Sequence, residues 1–167
     1  MTTDPLATII SILNNESTGL NTTGYEIYKD DGTTECTLLV TYDMSKEELA
    51  DLFGGTQDYD VIITVKAGDG DTEWIATSTQ VHNLPVILTG YVIEKHSAIG
   101  SGNKIITSEL VRWKIFDILG KFIDTNVNAP GGNILIWKQG DHRFEEDTSV
   151  RPILYKVIIE TECKVIR

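Results

Sequence analysis

Between Ser108 and Asp124 the apolar residues Val111, Ile115, Ile118, Leu119, Phe122 and Ile123 recur at the i, i+4, i+7, i+8 spacing of one helical face. Glu109, Arg112, Lys114, Asp117 and Lys121 mark the opposite side, so the stretch predicts one strongly amphipathic helix. Thr107 or Ser108 supplies a cap for the first free N–H groups, and the run Asn126, Asn128, Pro130, Gly131, Gly132 stops the helix. No catalytic pattern lies on it, and its expected role is to cover a sheet.

The chain before it divides by period. Asp4-Pro5 is a helix start, because aspartate accepts N–H bonds at the cap and proline at the first position gives up only an orphan donor. Leu6, Ile9, Ile10 and Leu13 then predict a short helix to Asn14 or Asn15, followed by a loop over 16–24. Residues 25–29 and 35–42 are expected to form a hairpin around Asp30, Asp31 and Gly32 with a type I′ turn. Ser45 and Glu48 make a capping box for a short helix through Leu49, Leu52 and Phe53, ended by Gly54 or Gly55. Residues 60–67 and 72–81 predict a second hairpin through the Gly/Asp-rich link between them. Residues 84–95 are strongly β-prone, with Pro85 expected only at the start and Gly90 marking a bulge or a close neighbour.

Residues 97–104 are expected to be a flexible loop, 133–139 a strand and 140–150 a charged loop. From Leu154 onward Tyr155, Val157, Ile159, Thr161, Cys163 and Val165 alternate with Lys156, Glu160, Glu162 and Lys164, as in a strand with one buried and one wet face. These elements predict an α+β fold. A mainly antiparallel sheet is covered on one face by the long helix, with a short N-terminal helix and a β-rich middle segment at about 29–80.

The 167 residues, 41% of them hydrophobic and 23% charged, suit a single core and a single domain. There is no apolar run of membrane-spanning length and no signal-peptide layout, so a soluble protein without membrane attachment is expected. Cys36 and Cys163, far apart in apolar segments, are expected to be buried free thiols. A net charge of −11 argues against tight nucleic-acid binding, and also suits a surface past which nucleic acid slides without sticking.

Candidate chemistry is sparse. Asp69, Asp71 and Glu73 are weak metal candidates, but they lack the further oxygen ligands of a calcium loop, and a turn with solvated acids is the stronger expectation. His82, His96 and His142 occur singly, without zinc-ligand spacing. The Gly100–Lys104 stretch does not satisfy a phosphate-loop pattern, and no serine has a nucleophile-elbow context. Glu145, Glu146 and Asp147 read as solvated acids rather than a catalytic pair. No catalytic residue, metal or cofactor is therefore expected. Trp113, on the charged flank of the helix, and Trp74, opposite Ile75 in its strand, are instead interface candidates.

Several of these segments resemble the tail terminator (tail completion) proteins of tailed viruses, especially those of archaeal tailed viruses. The residues concerned are the opening Asp4-Pro5-Leu6 through Ile9-Ile10, Leu13 and Asn15, the strand PVILTGYVIEKHS, the helix SELVRWKIFDILGKFI, and the acidic, Arg-containing loop before RPILYKVIIETECKVIR. They cover the first 15 residues and about 85 at the C-terminal end. The resemblance implies a non-enzymatic virion protein, assembled in the host cytoplasm. It would form a homo-oligomeric ring, typically a hexamer, that ends the tail tube, joins the neck or connector protein and lets DNA pass without specific binding. The 29–80 segment would then be an insertion. The 97–104 and 140–149 loops, with Ser101, Asn103, Arg143, Glu145 and Glu146, would be candidates for contact with neighbours. The alternatives are another neck or head-closure protein, or a small cytoplasmic ligand- or metal-binding α+β domain.

Overall fold

The structure, a computed structural model, describes residues 4–54, 58–76, 79–99, 102–149 and 151–166; the side chains of 71–76, 79, 97–99, 102–104 and 129 lie outside the description. In chain order it contains α1 (Pro5–Leu13), β1 (Leu38–Tyr42), α2 (Lys46–Gly54), β2 (Val61–Ala67), β3 (Asp71–Ala76), β4 (Thr79–Ile93), β5 (Lys95–Ile99), β6 (Gly102–Thr107), α3 (Glu109–Thr125), β7 (Asn128–Gly131), β8 (Ile134–Asp147) and β9 (Leu154–Ile166). The main sheet runs β1-β2-β4-β9-β8-β7, with β3 also on β4, and is antiparallel except for β1 beside β2. This is the expected α+β fold.

The helix ends follow the local chemistry. The Asp4 carboxylate accepts the Leu6 N–H at 2.9 Å ahead of Pro5. The Ser45 and Glu48 side chains exchange bonds with each other's N–H groups at 3.2 and 2.8 Å, a complete capping box. Ser108 caps α3. That helix lies across β4, β8 and β9, and the six β9 residues expected to face inward are all buried beneath it or beside it. Gly90 is where the helix comes closest: a Cβ there would stand 2.8 Å from Ile115 Cγ2 and 3.0 Å from Val157 Cγ1. Gly90→Ala is therefore expected to destabilise by about 1–3 kcal/mol through overpacking, measured by urea unfolding; a neutral result would mean that α3 can shift outward freely.

α1 packs against β1 and β2 on one side and against the end of β7 on the other. Asn14 Nδ2 donates to the Val40 carbonyl at 3.2 Å, and Gly131 and Gly132 face Ile12 and Thr8. The sheet is thus curled, with α1 between its two outer strands and Ile9 and Leu13 in the same core as Phe122 and Trp137. α2 covers the other face, where Leu49 and Phe53 pack on Ile62. Among the described residues no helix is long and apolar enough to cross a membrane.

Several expectations are corrected. The 25–42 hairpin is reduced to one bridge, Tyr28 to Glu35, and β1 pairs parallel to β2 instead. Its turn is not type I′, which needs two left-handed central residues. Only Gly32 has a positive φ, +73°, and the Asp31 carboxylate takes the Thr33 and Thr34 N–H groups. The second hairpin is also absent. β2 and β3 run the same way, end to end along β4, and β2 meets Val86–Val92 while β3 meets Thr79–Asn83. Pro85 falls inside β4 rather than at its start. It has no N–H to share, and the break between β2 and β3 comes beside it, where Gly68 N–H bonds to the Pro85 carbonyl.

The described residues of 97–104 belong to a two-stranded ribbon, β5 with β6, and those of 140–150 lie mostly in the second half of β8, paired with β9 as far as Asp147. The 29–80 segment supplies β1 and β2 to the main sheet and Val40, Ile62 and Ile63 to the two apolar clusters, which leaves its reading as an insertion neither supported nor overturned. Nor is α3 wet along its whole polar side. Lys114 Nζ donates to the Tyr28 and Lys29 carbonyls, and Lys121 Nζ to the Gly24 carbonyl, holding residues 24–29 over the helix.

Candidate interaction surface

The first half of α3 and the second half of β8 together carry an aromatic surface. Trp113 is 48% exposed, and its ring lies 4.1 Å from that of Phe144. Phe116 meets both Phe144 and His142, the latter at 4.3 Å. The cause is alternation: His142 and Phe144 sit on the side of β8 that faces the helix, and residues 113 and 116 are one helical turn apart above them. Leu110 is 55% exposed, one turn before Trp113. Tyr28, whose carbonyl holds Lys114, and Ile105, just before the helix, are exposed too. Among the described residues, four of the seven large exposed hydrophobics therefore lie at or beside the start of α3, which makes a patch rather than scattered residues.

Beneath the patch is a charge that periodicity assigned to solvent. Arg112 is only 8% exposed. Its guanidinium lies over the Phe144 and Tyr155 rings, at 5.2 and 5.5 Å, and Nη1 donates to the Glu145 carbonyl at 2.8 Å. A long arginine covers rings with its flat face while its edge finds oxygen, so the wheel position alone misplaces it.

The other expected interface residues divide between two faces. Arg143 and Glu145 point away from the helix, where Arg143 bonds to Glu145 at 3.0 Å and to Glu160 at 3.1 Å. Glu146 is exposed, opposite Tyr155. Asp147 accepts from Ser149, which together with Lys46 holds its carboxyl below the ordinary range. Trp74 and Asn103 lie in β3 and β6, with side chains outside the description, and Ser101 lies outside the described residues. Asp69 is exposed in the link before β3; the side chains of Asp71 and Glu73 are likewise not described. Among the described residues no three His, Cys, Asp or Glu groups are placed to hold a metal ion.

A second polar cluster was missed in sequence. Asp60 is 3% exposed and accepts from Thr37 N–H and hydroxyl, at 2.9 and 3.0 Å, from Lys95 Nζ at 3.2 Å, and lies 3.5 Å from Lys29 Nζ. Lys95 also bonds to Asp58 at 2.7 Å. Burial raises the Asp60 pKa, but the Thr37 N–H and the two ammonium groups outweigh it, and the carboxyl ends below its ordinary value. The cluster has equal and opposite partners in hand and pins β2 to the base of the β5–β6 ribbon. Only the three-dimensional fold brings residues 29, 37, 60 and 95 together.

The two cysteines are buried free thiols, as expected, and burial pushes both up to about 12, which leaves them protonated and unreactive. An open groove beside α2 is lined by Thr41, Tyr42, Met44 and Leu52 among the carboxylates of Asp43, Glu48 and Asp51.

No family model matches this chain, and no curated protein matches it.

Proposed function

We propose that this protein is a structural subunit of a tailed-virus particle, a tail terminator that forms a ring on the end of the tail tube and joins it to the neck. The sequence resemblance motivates the assignment, and the observation that carries it is the aromatic patch. Leu110, Trp113, Ile105 and Tyr28 are held in ordered structure with their apolar surfaces turned to water, where a partner would cover them. An acidic chain of net charge −11 gives a ring whose surface repels passing DNA.

Native mass measurement across a range of protein concentrations, followed by negative-stain imaging, tests this. The expected result is a closed ring of about six copies, alone or on purified tail-tube ends. A single-copy mass under both conditions would defeat the proposal. Leu110→Ser should weaken assembly while changing monomer stability by no more than about 0.5 kcal/mol, since the side chain is mostly in water; native mass and a thermal melt of the same sample separate the two.

A further inference from the structure

We propose that the second half of β8 is a strand-addition site, and that its occupant is the β5–β6 ribbon of a second copy of this chain. This rests on the ring reading above and specifies which surfaces make the contact. β7 pairs with β8 only between Gly131↔Ile134 and Asn128↔Ile136. From His142 to Asp147 β8 has β9 on one side and, among the described residues, no strand on the other. A strand with an open ladder edge accepts another strand unless something blocks it.

The ribbon has the matching properties. β5 and β6 form a sheet of two strands, separate from the main one, with no third strand beside either among the described residues; at the helix end of β6 the Ile106 carbonyl already accepts the Asp30 N–H. Of the six residues of β6, Gly102 to Ile105 precede that bond and can pair with part of the open run of β8 from His142 to Asp147. The charges are complementary. Asp141 to Asp147 carries four acids; Glu145 is paired with Arg143 and Asp147 with Lys46, and Asp141 and Glu146 are the other two. Residues 95–107 contain Lys95, His96 and Lys104 and no acid at all, in a chain with 25 acids. Lys95 is held by Asp58 and Asp60 and His96 lies 3.7 Å from Glu94, so Lys104 is the ribbon's other lysine. Apolar groups accompany both sides: Ile105 is exposed on β6, and Trp113 and Phe144 stand beside the β8 edge. Because edge and ribbon are different surfaces, the contact is head-to-tail, the kind that repeats by rotation and closes into a ring.

Backbone hydrogen exchange on the full chain at low and high concentration, read together with native mass, tests the pairing. Exchange should slow in β5–β6 and in 142–147 together as mass rises. Lys104→Glu and Glu146→Lys should each raise the concentration needed for assembly several-fold, and the double variant should return toward wild type, since each contact then regains one opposite pair. If a single variant fails to fold, Glu146→Gln and the exchange pattern in the wild type carry the test. Rings that form with unchanged exchange at 142–147, and with both single variants assembling like wild type, would overturn this pairing and leave the ring reading standing. A protein that remains single-copy at every concentration and on tube ends would overturn both.

Discussion

Trp137→Ala is expected to lower the unfolding free energy by about 3–5 kcal/mol, the range for deleting a large ring from a closed core. Trp137 is fully buried, with the Phe122 ring 6.3 Å away. Its indole N–H donates to Thr161 Oγ1 at 2.9 Å, and the Thr161 hydroxyl donates to the Val86 carbonyl at 2.7 Å. The relay crosses β8, β9 and β4, so the alanine variant loses both the filled volume and the donor at its end. Trp137→Phe keeps most of the apolar volume and gives up the N–H, and should cost less, about 1–2 kcal/mol. Urea unfolding of the two variants beside wild type measures this. Equal losses would assign the effect to the hydrogen bond, and negligible losses in both would mean that the core tolerates the hole.

Asp60→Ala carries the second large effect, about 3 kcal/mol at neutral pH, because it takes the carboxylate from Lys29, takes one of two from Lys95, which keeps Asp58, and removes the acceptor of the Thr37 N–H. The Lys29 and Lys95 side chains are 17% and 15% exposed. The pH dependence has a definite sign. The Asp60 pKa is lowered by folding, so its contribution is complete above the unfolded value and is lost as pH falls through the folded one. Wild type should therefore lose stability on acidification below about pH 4, the ordinary aspartate range, and the gap between it and the variant should narrow there. A gap independent of pH would mean that packing, rather than charge, is what the substitution removes.

Where short-range chemistry decides the structure, it was legible in the sequence. Pro5 and Asp4 place the start of α1, Ser45 and Glu48 that of α2, and the alternation from Tyr155 to Val165 gives the buried face of β9. Gly90 was legible as a close approach, though not whose. Strand partners were not legible, because pairing is a long-range choice: β2 prefers β4 to the nearer β3, and β1 takes β2 to the neglect of residues 25–29. The half of β8 after Gln139 resembled a loop because both its faces carry polar groups, His142 and Glu146 on one and Arg143 and Glu145 on the other. At the candidate surface Trp113 was legible by its position on the charged flank of α3. Phe144, Phe116 and His142 had no such signal until β8 was seen to continue under the helix, and Arg112 was hidden by its own length.

The order of strands also governs when the chain can fold. β9 comes after every other strand in sequence yet lies between β4 and β8, the middle of the sheet. A chain that stops before Leu154 lacks the strand that joins the two halves, and has two long ladders with nothing to fill them. During synthesis at about 5–20 residues per second, the earlier strands must wait several seconds for that partner with their edges open. A chain cut short anywhere before the last strand is therefore expected not to reach the folded state, whatever the length of what precedes it.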